Sequence, residues 1–470
     1  MRDPSGSSQM QECAVARPAD LVHSVIKAYD VRGVVGEQID EDFVADVGAA
    51  FARLVRGEGV SQRVVVGHDM RDSSPALSAA FARGVTSQGL DVVLIGLAST
   101  DQLYFASGRL DCPGAMFTAS HNPAKYNGIK LCRAGAKPVG QDSGLATISA
   151  EIIDGVPTFD GAPGTISEQD VLEDYATFVR DLVDISDIRP LSVAVDAGNG
   201  MGGHTVPAVL DPTSVTVHPL YFELDGTFPN HEANPLEPAN LVDLQKFVTE
   251  TGADIGLAFD GDADRCFVVD ERGEPVSPSA ITALVAEREL GKHPSSTIIH
   301  NLITSRSVPE LVEQLGGTAV RTRVGHSFIK ALMAETGAVF GGEHSAHYYF
   351  RDFWGADSGM LAALHVLAAL GTQDEPLSAL MRKYEVYAAS GEINSTVADA
   401  RERTAAVVAA FADRTVSTDE LDGVTVDLGD SAWFNLRASN TEPLLRLNVE
   451  ARTPEDVDRL TTEILSIVRA

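Results

Sequence analysis

The chain has no apolar run of the roughly 18 residues that a bilayer-crossing helix needs, and no N-terminal stretch patterned like a secretory signal. Both absences predict a cytoplasmic protein with no membrane partner. Cysteine is scarce. Cys13, Cys112, Cys132 and Cys266 are the four, and their spacings match no metal-ligand motif. That excludes a disulfide scaffold and a zinc module. Three of the four lie inside apolar runs, where a reduced thiol behaves as a small core residue. Positive charge is short as well: 36 Lys and Arg against 67 Asp and Glu give a formal net charge of −31. General nucleic-acid binding wants a basic stripe and is excluded. An anionic small molecule is not excluded, because a local cluster of arginines overrides the mean field.

What is present describes a globular chain, 44% hydrophobic and 22% charged. At 470 residues it is too long for one core, and three or four domains are expected. Residues 1–20 are polar and aperiodic and read as a flexible leader. Beyond them, Phe43, Val44, Val47, Ala50, Phe51 and Leu54 recur at helical spacing behind Asp40, a candidate N-cap. Arg63–Gly67 reads as a buried strand, 68–74 as a polar loop, Pro75 as the first position of a helix, and Asp91–Gly96 as the next strand. The same strand–loop–helix opening returns at 192–203 and again at 297–315. Three α/β units in tandem follow, with mostly parallel, mixed sheets. The expected boundaries are 21–160, 161–273 and 274–385. The segment 386–470 differs. Strands over 423–428, 431–437 and 444–451, then a helix behind Thr453 and Pro454, predict a smaller α+β domain.

Four short stretches carry chemistry. The first is Thr118-Ala119-Ser120-His121-Asn122-Pro123, which sets a hydroxyl, an imidazole and a carboxamide in a row and forbids a helix. Gly114–Phe117 before it reads as a strand, Tyr126–Gly128 after it as a turn, and Ile129–Cys132 as a second strand, so Ser120 is expected on a tight loop of a rigid scaffold. Taken alone, the stretch is an ordinary surface turn. A serine hydrolase is the weaker alternative: there is no G-x-S-x-G elbow, and adjacent Ser120 and His121 are poorly placed to pair as nucleophile and base.

The second is Asp260-Gly261-Asp262-Ala263-Asp264-Arg265, behind the strand-like Ile255–Phe259. In an extended segment the three carboxylates share one face and repel unless a hard cation such as Mg2+ or Ca2+ sits among them. The end of a strand is where open α/β sheets bind ligands. An EF-hand also begins D-x-D-x-D, but its sixth position needs glycine and here holds Arg265. The glycine-rich stretch 198–203 lacks the G-x-G-x-x-G register and reads as a strand-to-helix turn rather than a dinucleotide site. In the third stretch, Gly341–His347, the residues Glu343, Ser345 and His347 alternate, and together suit sugar hydroxyls if they face one pocket. The fourth, Arg437-Ala438-Ser439-Asn440-Thr441-Glu442-Pro443, joins two strands and offers a guanidinium, hydroxyls and turn N–H groups to a phosphate.

In this order, T-A-S-H-N-P, D-G-D-A-D-R, G-E-H-S-A-H and R-A-S-N-T-E-P resemble the α-D-phosphohexomutase family, in its bacterial phosphomannomutase/phosphoglucomutase branch. K-A-Y-D-V-R-G at 27–33 and V-G-H-S-F-I-K at 324–330 extend the likeness from Lys27 to the C-terminus. The resemblance implies three α/β domains and a smaller fourth around a central cleft. It implies that Ser120 is a phosphoserine, and that Asp260, Asp262 and Asp264 hold Mg2+ together with Ser120. Lys130 and His121 would share acid–base work, Arg265 would contact the phosphoryl group, and Arg32, with Tyr29, would line the cleft as a further catalytic residue. Tyr29, His326, Glu343, Ser345 and His347 would bind the sugar, and Arg437, Ser439, Asn440 and Thr441 its other phosphate.

The implied reaction interconverts hexose 1-phosphate and hexose 6-phosphate, mannose before glucose, with a hexose 1,6-bisphosphate as intermediate and activator. Its partners would be small hexose phosphates, and the protein a monomer or dimer. Phosphoglucosamine mutase is the neighbouring alternative. Its loops usually read S-G-T where Ser439-Asn440-Thr441 stands and place Gln where His344 stands. A non-catalytic sugar-phosphate sensor is the other, although Ser120 and all three aspartates are present. Many relatives carry glycine where this chain has Ala346, and some carry a cation where it has Leu302.

Overall fold

The computed structural model describes residues 16–429, 432–439 and 444–470. They form two compact units. One runs up to Ala98 and resumes over Ala106–Val171; the other takes Ser99–Phe105 and Leu172–Ala470. The chain joins the first unit earlier than Leu21: a helix opens at Ala19, and Arg17 pairs with Asp46 at 2.8 Å.

The first unit holds one sheet of seven strands: β1 (Val31–Val34), β2 (Arg63–His68), β3 (Asp91–Leu97), β4 (Gly114–Phe117), β5 (Tyr126–Arg133), β6 (Lys137–Pro138) and β7 (Ile166–Glu168). The order is β1-β5-β4-β2-β3-β7, with β6 on β5. The central β4-β2-β3-β7 pairs are parallel, and β5 and β1 run antiparallel at the edge. Tyr126–Gly128, expected as a turn, are instead the first residues of β5, because they pair with Val34, Gly33 and Arg32 of β1. The helix Glu41–Glu58 starts as anticipated, with the Asp40 carboxylate accepting from the Phe43 N–H at 2.7 Å. Its buried Phe43, Val47 and Phe51 pack with Phe81 and Phe117 in the core. Each such side chain contributes about 1.5–3 kcal/mol by leaving water.

The second unit holds three five-stranded sheets. The first contains β8 (Leu191–Asp196), β9 (Val215–Leu220), β10 (Ile255–Phe259), β11 (Cys266–Asp270) and β12 (Pro275–Val276), in the order β12-β11-β10-β8-β9. The next contains β13 (Thr297–Asn301), β14 (Thr318–Thr322), β15 (Phe340–Gly342), β16 (Tyr348–Phe350) and β17 (Ala356–Asp357), in the order β14-β13-β15-β16-β17. The last contains β18 (Ala388–Thr396), β19 (Ser417–Asp419), β20 (Val424–Asp427), β21 (Trp433–Ala438) and β22 (Leu444–Ala451), wholly antiparallel in the order β18-β22-β21-β20-β19. The three strands expected in this segment match β20, β21 and β22, and β18 and β19 add two that were not expected. Residues of β18 are mostly half-buried or exposed and those of β19 are all exposed, which leaves no apolar stripe to read.

The three α/β sheets share one plan. A parallel set is followed by an antiparallel hairpin on one edge, and the chain turns from the last parallel strand into that hairpin at β4–β5, β10–β11 and β15–β16. Ser120, the three aspartates and Glu343–His347 occupy these three turns, one motif to each. Among the described residues no helix is long and apolar enough to cross a membrane. Cys112, Cys132 and Cys266 are buried free thiols, as expected; Cys13 lies outside the described residues.

Candidate active site

In the first unit, Ser120 sits in the left-handed region, at φ +49°, where side-chain-bearing residues are uncommon. Two devices hold it there. The Thr118 hydroxyl accepts the Ser120 N–H at 2.8 Å. The guanidinium of Arg71, 1% exposed, donates to the carbonyls of Ser120, Asn122, Pro123 and Tyr126 at 2.7–3.1 Å. Arg71 is itself held by the buried Asp69 at 3.2 Å. Burial pushes the Asp69 carboxyl above its usual range, and Arg71 and Ser74 pull it back. Sequence reading placed 68–74 in a polar loop without seeing this support.

Arg32, on β1, donates to the Asn122 side chain at 2.6 Å and pairs with Asp30, which places it at the Ser120 loop. The Ser120 Oγ and His121 Nδ1 are 3.2 Å apart, so the two neighbouring side chains are within hydrogen-bond reach. Lys130 is half-buried on β5, opposite Met116. Tyr29 precedes β1 and is 37% exposed.

In the second unit, Asp260, Asp262 and Asp264 are all buried, and one oxygen from each lies within 4.8 Å of the others. The segment is not extended. It is a turn closed by the Ala263 N–H on the Asp260 carbonyl, with Ala263 at φ +59°. The carboxylates converge because the chain folds back, not because alternate side chains share a strand face. Asp260 takes both the backbone N–H and the guanidinium of Arg265, at 3.1 and 2.9 Å. Burial alone would lower the Arg265 guanidinium, and the charges of Asp260, Asp264 and Asp262 hold it up instead.

Asp262 accepts the Thr100 hydroxyl at 2.6 Å. Beside Thr100, the buried Asp101 accepts from Tyr175 and Ser358, and burial raises its carboxyl to about 6. The glycine-rich loop at 198–203 also supports this turn. A Cβ on Gly200 would come within 2.7 Å of the Gly261 carbonyl, which accepts from Met201. Three buried carboxylates against one guanidinium make an all-oxygen donor set with excess negative charge, which fits a hard divalent cation.

Glu343–His347 is likewise a tight turn, with Ala346 at φ +63° and the Glu343 N–H on the His347 carbonyl. The Ser345 hydroxyl lies 2.9 Å from the His347 Nδ1. A backbone bridge joins His347 to Arg265, and its ring nitrogen lies 3.8 Å from Asp264, so the turns at 260–265 and 343–347 adjoin. Glu343 is 2% exposed and already accepts from Tyr349, from Asn301 and from the Gly325 N–H. That internal use was not visible in the sequence. His326 opens the helix His326–Thr336, with its side chain outside the described residues. Nearby, Lys330 is buried in a pair with Asp357 at 2.6 Å. Arg437 is the penultimate residue of β21, and the Ser439 N–H closes on the Leu444 carbonyl. Asn440 and Thr441 lie outside the described residues.

Four family models match in chain order. They are domains I, II and III of phosphoglucomutase/phosphomannomutase, over residues 23–155, 173–273 and 277–387, and its C-terminal domain over 392–467. The chain is 39% identical to a phosphomannomutase of Salmonella montevideo, over 94% of this chain and 98% of that one. The chain belongs to the phosphoglucomutase/phosphomannomutase family. Among other α-D-phosphohexomutases, it is 40% identical to a phosphohexose mutase of Xanthomonas campestris, over 94% and 98% of the two chains. The solved structure of a phosphoglucomutase/phosphomannomutase family protein from Burkholderia thailandensis superposes with a TM-score of 0.85 at 32% identity, covering 95% and 97%. A member of this family so close to named phosphomannomutases over nearly its whole length is a hexose phosphate mutase, an isomerase of carbohydrate metabolism.

Proposed function

We propose that the chain interconverts mannose 1-phosphate and mannose 6-phosphate, with glucose phosphates as a second pair, through a phosphoserine at Ser120 and a hexose 1,6-bisphosphate. The observation that carries this reading is the Ser120 turn. A hydroxyl is set at the end of a buried strand in a strained backbone that a fully buried arginine clamps through four carbonyls. Strain of this kind persists where the surroundings over-determine it, and it concentrates at reacting groups.

In the forward half-reaction, the bond from phosphorus to the Ser120 Oγ breaks. A bond from phosphorus to the free hydroxyl oxygen of the hexose phosphate forms, and the proton of that hydroxyl passes to Lys130 or His121. The bisphosphate turns over, its other phosphoryl returns to Ser120, and the same group gives back the proton. Arg265 and Arg32 steady the phosphoryl oxygens. Tyr29, His326, Glu343, Ser345 and His347 orient the sugar, and Arg437, Ser439, Asn440 and Thr441 hold the phosphate that stays. Asp260, Asp262 and Asp264, with a Ser120 oxygen, would hold Mg2+, whose charge offsets that of the transferring group. The bisphosphate doubles as activator by loading Ser120. The names of the curated relatives and the sequence of the loop at 439–441 support mannose. The reaction is assigned to the cytoplasm, and the chain to four domains: the first, expected over 21–160, widened to take in the helix from Ala19 and β7, then one to 273, 274–385 and 386–470.

A coupled assay with mannose, glucose and glucosamine 1-phosphates, Mg2+ and a trace of bisphosphate tests the reading. Turnover of the mannose ester, with or without the glucose ester, is expected. Turnover of glucosamine 1-phosphate alone would overturn the sugar assignment. Ser120→Ala should lose activity by several orders of magnitude with an unchanged melting curve; a near-native rate would refute the phosphoserine.

A further inference from the structure

Arg437 faces a second arginine. Across the β21–β22 ladder its register partner is Arg446, so two like charges stand directly opposite each other, an arrangement that costs stability unless something bridges it. Glu392 is the bridge. Its Oε2 accepts from Arg437 at 3.1 Å, and its Oε1 lies 3.4 Å from Arg446. Among the described residues, the Nε of each arginine is buried with no hydrogen-bond partner. Both forks therefore keep a donor that the carboxylate does not use.

Glu392 reaches this position through a bulge. Between Ala389 and Glu392, β18 spends three residues where β22 spends two, from Glu450 to Asn448. Gly391 takes φ +66° at the bulge, and Ser390 accepts the Val449 N–H at 2.9 Å. An extra residue of this kind re-aims the side chains that follow it. Charge bookkeeping shows what the bridge leaves. Two guanidinium groups and one carboxylate sum to one positive charge. A phosphate monoester dianion would neutralise the pair in full and can bind each guanidinium through two oxygens.

We infer that Arg446 is a second phosphate-binding guanidinium beside Arg437, and that Glu392 is a resident carboxylate that holds the pair ready and yields it to the incoming phosphate. The inference rests on the reading that the 437–441 hairpin takes the phosphate that stays. It adds a reason for reversibility. A sugar bisphosphate must leave this site to turn over, and a carboxylate that re-enters as the phosphate departs keeps the arginines paired and weakens their hold on the ground state.

Calorimetric binding of mannose 6-phosphate to the full-length protein tests this, with Arg437→Met, Arg446→Met, Arg446→Lys and Glu392→Gln, each checked for an intact melting transition. Arg446→Met should weaken binding about tenfold or more, as loss of a charged hydrogen bond does, and Arg446→Lys should recover part of it. Glu392→Gln should tighten binding severalfold while lowering kcat, because release slows; a merely structural carboxylate would weaken binding or leave it alone. If Arg446→Met does not fold, Arg446→Lys is read alone, and binding as tight as the parent overturns the second guanidinium. Unchanged or weaker binding by Glu392→Gln overturns the resident carboxylate. If Arg437→Met binds like the parent, the underlying phosphate reading fails instead. Loss in Arg437→Met with no change in Arg446→Met sinks only the present inference.

Discussion

The Ser120 turn and the Asp260–Asp264 turn occupy the same place in their sheets, yet they are held by opposite means. Main-chain carbonyls of the Ser120 turn converge on one buried cation, Arg71, and the serine hydroxyl, 3.2 Å from the His121 Nδ1, takes no part in that clamp. In the aspartate turn the side chains themselves are engaged: Asp260 by Arg265 and Asp262 by Thr100. On the proposed reading Ser120 is a nucleophile, and a clamp through the backbone fixes its position without using its hydroxyl. On the proposed reading these carboxylates are metal ligands, and donors on the carboxylates themselves fix their orientation.

The comparison can be broken by variants of each turn. Asp262→Asn should reduce turnover by more than the roughly 10–100-fold that follows loss of an outer-shell partner, and should weaken Mg2+ binding in parallel. Lost activity with unchanged metal affinity would remove the metal assignment. Its folding stability should hold or rise, since one of three repelling charges is gone. Arg71→Met should do the reverse and cost about 3–5 kcal/mol in denaturant unfolding, because it strands the buried Asp69. The double variant Asp69→Asn/Arg71→Met should recover part of that; a loss as large as the single variant's would mean the carbonyl bonds dominate.

Asp101 probes the support of the aspartate turn. Its carboxyl is raised to about 6 from an ordinary 3.8, so the folded state holds this proton more tightly. The resulting stabilisation is complete below pH 4 and fades as pH rises through 6. Relative to Asp101→Asn, the parent should lose about 2.4 kcal/mol of unfolding free energy between pH 4 and 7. A parallel pH course in the two proteins would place the ionised carboxylate at ease among Ser99, Tyr175 and Ser358. The smallest effect belongs to Ala346→Gly. Relief of the left-handed alanine should stabilise by less than about 1 kcal/mol, since glycine gives back entropy. A destabilised variant would show that the Ala346 methyl packs more than it strains.

The motif residues were legible because each stretch is local: hydroxyl, carboxylates and arginine announce themselves by type and spacing. So were the tandem α/β units, through strands such as Ile255–Phe259 that are buried on both faces. What lay outside the reading is non-local. Arg71 acts 49 to 55 residues away on carbonyl oxygens, which carry no sequence identity. The alternation of Asp260, Asp262 and Asp264 invited an extended segment, but Ala263 in the left-handed region closes a turn, and alanine gives no warning of that. Tyr126–Gly128 has turn composition, yet pairing with β1 holds it extended. Glu343 looked like a ligand, and its bonds to Tyr349, Asn301 and Gly325 appear only in the fold.

The seven residues Ser99–Phe105 belong to the second unit although the chain on both sides of them belongs to the first. A gene cut at Leu172 would therefore not encode a complete second unit. Asp262 would be made without Thr100, and Tyr175 and Ser358 without Asp101. The same holds for exchange between relatives. A single crossover near residue 171 would pair one parent's Thr100 and Asp101 with the other parent's aspartate turn, so the two must be inherited together or be matched in both parents.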